Sequence, residues 1–143
     1  MNKIILNANH LVINALTEIK KKNYIEAKNL LEKAISIQPE MFEANHNLAI
    51  LNFQLGNLDS SILYFKKSKK IKPKFSQVYF NLGLAYDRKK NIDLAIINFK
   101  KVIKLDPNNS IALYNIGHLY KKKLEPIKAE EYLSKSLDLN PNF

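Results

Sequence analysis

Four prolines, Pro39, Pro73, Pro107 and Pro141, stand 34 residues apart three times in succession. A spacing that regular marks a chain built by repetition. Each proline closes a similar phrase, AISIQP, SKKIKP, VIKLDP and SLDLNP. In 143 residues this leaves four units, approximately 8–41, 42–75, 76–109 and 110–143, with almost no surplus.

When the proline is numbered position 32 of its unit, the apolar columns line up. Position 8 is small throughout (Ala15, Ala49, Gly83, Gly117), as is position 20 (Ala27, Ser61, Ala95, Ala129), whereas position 24 is large (Leu31, Phe65, Phe99, Leu133). Two antiparallel helices need this alternation: small residues where the axes approach, and bulky knobs one turn away. The apolar stripes at positions 4, 7, 8 and 11 and at 20, 24, 27, 28 and 30 repeat with helical period, so each unit holds two short helices. Helices are expected near 8–21, 24–37, 41–54, 58–71, 75–88, 92–105, 109–122 and 126–139, the first beginning as early as Ile4. Position 16 carries Asn23, Asn57 and Asn91, each able to cap the second helix by accepting from its free amides. In the fourth unit Glu125 takes that place, and Pro126 follows at the first helical position, where a missing amide hydrogen costs nothing.

These columns resemble the tetratricopeptide repeat (TPR), whose 34-residue helix-turn-helix unit favours aromatic-Leu-Gly-Tyr followed by Ala-Phe-Ala-Pro. The third unit is nearest the pattern, with Tyr79, Leu82, Gly83, Tyr86, Ala95, Phe99 and Pro107 in register, and the fourth keeps Gly117, Tyr120, Ala129 and Pro141. The first two depart from it, through Asn14 and Glu18 and through Asn45, Asn52 and Ser61. The resemblance implies an all-α fold, a right-handed α-solenoid of four helix pairs forming a single domain over 1–143. It also implies that the first helix of each unit lines a concave groove.

The composition narrows the chemistry. The absence of cysteine excludes disulfides, thiolate metal sites and a cysteine nucleophile. Three dispersed glycines, Gly56, Gly83 and Gly117, cannot build a phosphate-cradling loop. His10, His46 and His118 lack an HExxH setting, no serine sits in a GxSxG elbow, and the neighbouring Glu130 and Glu131 splay about 100° apart on a helix. No catalytic residue, cofactor or metal site is therefore expected, and the chain reads as non-catalytic. The segment Met1 to Leu6 is too short for a signal-peptide core, and no stretch reaches 18 uninterrupted apolar residues, so a cytoplasmic protein is expected.

On the groove side, position 6 is uniform in three units: Asn47, Asn81 and Asn115. A carboxamide offers both a donor and an acceptor, so a row of them can pair with the main chain of an extended peptide without reading its side chains. Position 5 adds His46, Phe80 and Tyr114, and position 9 adds Ile50, Leu84 and His118. This row resembles the asparagine ladder in the TPR superhelix of O-linked GlcNAc transferases, although the first unit has Ile13 there. It does not match the TPR clamp for acidic chaperone carboxy-termini, because positions 2 and 5 carry no cation. The expected function is a scaffold that binds a peptide or partner protein. One alternative is a substrate-recruiting or regulatory segment of a larger enzyme such as a glycosyltransferase.

The net charge of +10 comes from 23 basic residues, all lysine except Arg88, against 13 acidic ones. The lysines gather at the inter-helix turns (Lys20 to Lys22, Lys89, Lys90, Lys121 to Lys123) and on second helices (Lys66, Lys67, Lys70, Lys100, Lys101, Lys104). Such runs serve as solvated faces, or else as a basic edge for nucleic acid or an acidic membrane. Without arginine forks or interleaved aromatic residues on those faces, no specific nucleic-acid partner is expected. Finally, the sequence ends at Phe143, and Leu133, Leu137 and Leu139 on the last helix are left without a polar cap. End-on self-association, or continuation in a longer polypeptide, would cover them.

Overall fold

The prolines end helices. The computed structural model describes residues 2–141, which leaves Met1, Asn142 and Phe143 outside the described residues. Within it run α1 (Asn2–Lys20), α2 (Tyr24–Ile37), α3 (Phe42–Gln54), α4 (Leu58–Ile71), α5 (Ser76–Arg88), α6 (Ile92–Leu105), α7 (Ser110–Lys122) and α8 (Pro126–Leu139). Pro39, Pro73, Pro107 and Pro141 each lie two residues beyond a second helix. The residue before each proline, Gln38, Lys72, Asp106 or Asn140, leaves the helical region with φ between −125 and −146°. A proline ring excludes helical ψ from its predecessor. Each of these residues still donates its N–H back to the last turn, at 2.8 to 3.0 Å.

The boundaries expected from sequence hold within a residue, except that α1 starts earlier, at Asn2. The helices group into two compact units, one through Pro73 and one from Lys74. In each, a first helix packs antiparallel against its second. The small columns are fully or almost fully buried, with Ala15, Ala27, Ala49, Ser61 and Ala95 at 0% exposure. The knobs Leu31, Phe65 and Phe99 are likewise buried; only Leu133 is half-buried. At Gly83 the approach is so close that an added Cβ would lie 2.8 Å from the Phe99 ring.

The turn inside each unit has a conformation the sequence did not reveal. Lys22, Gly56, Lys90 and Leu124, all at position 15, adopt positive φ of 64, 80, 60 and 59°. This left-handed residue lets the next N–H, of Asn23, Asn57, Asn91 or Glu125, reach back to the carbonyl of Glu18, Asn52, Tyr86 or Tyr120 at 2.9 to 3.0 Å. Glycine occupies the position only once, so three of the four turns carry a Cβ in a region that disfavours it.

The expected asparagine caps form in part. Asn91 Oδ1 accepts from the Leu94 N–H at 3.2 Å, but Asn23 and Asn57 make no such bond. Asn23 instead donates to Glu18 Oε2 at 2.7 Å, because Glu18 replaces the apolar residue usual at its position. Asn109, not anticipated, caps α7 by accepting from Ala112 N at 3.0 Å. The departures in the first half are accommodated locally. Asn14 is exposed, and buried Asn45 donates to the carbonyls of Pro39 and Met41 at 2.9 and 2.8 Å. Asn52 donates to Leu48 O at 2.9 Å. Ser61 differs: its Oγ is buried and makes no hydrogen bond among the described residues.

Two stability predictions follow from this packing. Ser61→Ala removes a desolvated hydroxyl at a position that is alanine in the other three units, and is expected to raise the unfolding free energy by about 1 kcal/mol in urea titration. Leu124→Gly relieves a left-handed residue that is 88% exposed, and is expected to stabilise by roughly 0.5 to 1 kcal/mol, since the strain exceeds the entropic cost of glycine. A lower urea midpoint in either variant would contradict its assignment.

Candidate functional site

Packing of the small columns dictates which side of each first helix stays open. Once positions 4, 7, 8 and 11 turn inward, position 5 lies at the edge of the buried stripe and positions 6 and 9 on the face away from it. In the first compact unit, α3 carries His46, Asn47 and Ile50 there, all half-buried. In the second, α5 carries half-buried Phe80, Asn81 and Leu84, while α7 carries exposed Tyr114 and His118 around half-buried Asn115.

The three amides are oriented from within their own helices. Asn47 Nδ2 donates to Glu43 O and Asn115 Nδ2 donates to Ile111 O, both at 2.8 Å. Asn81 Oδ1 accepts from Gln77 Nε2 at 3.2 Å. None of these bonds crosses to a neighbouring helix. A carboxamide has two donor hydrogens and an oxygen with two lone pairs, so one bond fixes its direction and leaves further capacity for a ligand.

The flanking rings are also supported. Phe80 stands edge-on to Phe99 at 5.4 Å and 76°. Tyr114 and His118 meet at 4.5 Å between centroids. His46 stacks on Phe42 at 5.2 Å and 12° and meets the edge of Phe65 at 5.7 Å. Burial in this aromatic setting pushes the His46 imidazole below the usual histidine range, so it is neutral at physiological pH and acts as a flat, largely apolar surface. Beside it, the Lys72 ammonium, 2.9 Å from Glu43, holds that carboxyl below the usual carboxylate range.

The lysine runs differ from the sequence expectation in one respect: aromatic rings do stand among them. Lys67 Nζ lies 4.9 Å from the Tyr64 centroid and Lys101 Nζ 5.8 Å from Tyr79. Lys100 lies 5.5 and 5.9 Å from Tyr120 and Tyr132. Tyr64 precedes Lys67 by three residues on α4, whereas Tyr79, Tyr120 and Tyr132 stand 20 or more residues from their lysines, so a scan of each helix face by itself misses those three. At the turns, several lysines are paired: Lys122 with Asp87 at 2.6 Å, and Lys123 with Asp93 at 2.7 Å. The Asp93 carboxylate holds the Lys123 ammonium above the usual lysine range. On α8, Glu131 pairs with Lys135 at 2.7 Å. Leu137 and Leu139 are 46% and 45% exposed.

No group of three or more histidine or acidic side chains among the described residues is arranged to hold a metal ion. No described helix is long and apolar enough to cross a membrane.

The geometry can be set beside known proteins. Solved structures share the fold: MamA, with a TM-score of 0.91 and 24% identity over 94% of this chain and 79% of that one. MamA residues 41 to the end from Desulfovibrio magneticus RS-1 gives 0.88 and 19%, over 94% and 76%. YrrB, described as a TPR protein with an unusual peptide-binding site, gives 0.86 and 25%, over 94% and 70%. Comparison with curated protein sequences gives no match. Profiles of the tetratricopeptide repeat match residues 18–82, 76–109 and 110–143, nearly the whole sequence. With the repeat period, the paired helices and the interlocked columns already established, the chain belongs to the tetratricopeptide repeat family.

Proposed function

We propose that this protein is a non-catalytic docking module that holds an extended segment of a partner protein against the exposed faces of the first helices α5 and α7. One observation carries the reading: α5 and α7 each present a locally oriented, half-buried carboxamide, Asn81 or Asn115, between an aromatic residue and a further apolar or imidazole side chain. Helix α3 offers the same arrangement in Asn47, His46 and Ile50. The amides supply hydrogen bonds that fit any peptide backbone, and the flanking rings supply area on which side chains pack. The likeness to YrrB supports binding of peptide as the general mode, without indicating which residues contact it.

The energetics set the scale. Two carboxamides making two bonds each, at roughly 0.5 to 1.5 kcal/mol net per bond, contribute a few kcal/mol, so peptide binding in the micromolar range depends on them. Neither amide holds two helices together, so their removal should leave stability almost unchanged.

The test selects binders from a displayed library of unstructured dodecapeptides and measures them again on variants. The double substitution Asn81→Ala and Asn115→Ala is expected to weaken binding tenfold or more while the melting temperature moves by less than about 3 °C. Unchanged affinity would remove the asparagines from the site. A fall in affinity that tracks a lower melting temperature would make them structural.

A further inference from the structure

In the Lys74–Phe143 unit, α6 and α8 together with Leu113 from the buried side of α7 form a separate cleft, of about 590 Å³, that uses none of the proposed peptide-contacting residues. Its apolar floor comes from buried Leu113, half-buried Ile103 and partly exposed Leu139, beside Pro107. Three exposed lysines, Lys100, Lys104 and Lys135, line it, against one acidic lining residue, Asp138. The other nearby carboxylate, Glu131, is already paired with Lys135. The charge left facing the cleft is therefore positive, carried mainly by Lys100 and Lys104.

Lys100 is held in place. Its Nζ donates to the Tyr120 hydroxyl at 3.0 Å, and it lies beside the Tyr120 and Tyr132 rings, which stack on each other at 5.6 Å and 26°. The phenol oxygen holds the ammonium above the usual lysine range but does not neutralise it. A long side chain fixed in this way loses little further freedom when an anion arrives. Lys104 follows one helical turn later on α6, so the two stems stand roughly 5 to 6 Å apart. Alternate side chains on an extended peptide are spaced about 6.6 Å apart, so two carboxylates on one side of such a segment can meet both ammonium groups.

The combination of cations and hydrocarbon selects the ligand. A phosphodiester strand would gain from the lysines and nothing from the floor, and the Tyr132 ring that could stack a base is engaged by Tyr120 and two ammonium groups. An acidic peptide carrying an aliphatic or aromatic side chain satisfies both. We infer that this cleft is a second docking site, which takes an acidic peptide segment by burying an apolar anchor on Ile103, Leu113 and Leu139 and pairing flanking carboxylates with Lys100 and Lys104.

The blocked peptide EEELFEEE, labelled for fluorescence anisotropy, tests the inference against EEEGGEEE, which has the same charge and no anchor, and against octathymidylate. EEELFEEE is expected to bind at least fivefold tighter than either control. Lys104→Glu, an exposed change, and the double change Lys100→Glu and Lys104→Glu should weaken it progressively, the latter tenfold or more. Leu139→Lys adds positive charge yet should weaken EEELFEEE about fivefold and leave EEEGGEEE no weaker. The Asn81→Ala, Asn115→Ala variant should bind it normally, which separates this cleft from the first-helix faces. Equal binding of EEELFEEE and EEEGGEEE would overturn the inference, as would tighter binding of octathymidylate or no response to Lys104→Glu with the fold intact by circular dichroism.

Discussion

Every repeat depends on the close approach of two helices, allowed by a small residue on each and locked by a bulky one. Gly83 lies so near Phe99 that even a methyl group would collide, and Gly117 is in the same relation to Leu133. Alanine or serine serves at the equivalent places on the second helices. Interiors packed this densely leave no slack, so the interlock sets the rotation of each helix about its own axis as well as its distance from its partner.

That rotation has functional consequences. With positions 4, 7, 8 and 11 committed inward, the residues at 5, 6 and 9 are left outside that stripe, half-buried on α3 and α5 and partly exposed on α7. Asn47 and Asn115 outside the stripe and Asn52 on it make the same bond to a carbonyl one turn back, and what differs is access: Asn45 and Asn52 are buried, whereas the outer amides remain partly open to a ligand. The same residue type therefore reads as structural or as ligand-facing according to its angle on the helix. On the second helices the interlock leaves lysines outward, and the tyrosines contributed by neighbouring segments give those lysines fixed positions.

The two kinds of surface differ chemically. The first-helix faces of α3, α5 and α7 are amides set among rings and aliphatic groups, suited to main chain with undemanding side-chain contacts. The α6 and α8 cleft is an apolar floor beside ammonium groups, suited to acidic sequence.

The sequence by itself determined the period, the eight helices, the turn-closing prolines and the alternation of small and large core residues. Each of these follows from contacts within a unit or with the next one, and so leaves a trace in every repeat. It also indicated the asparagine row, because helical angle follows directly from residue number. Tertiary structure alone decided how Asn23 spends its amide, which turn residues take left-handed backbone, and where Lys100 rests. Those outcomes depend on competition among partners that no single column records: Glu18 draws Asn23 away from its cap, and Tyr120 and Tyr132 capture a lysine from 20 to 32 residues earlier. Long polar side chains choose among neighbours only after the backbone has placed them, and for that reason the cleft was not legible before the fold.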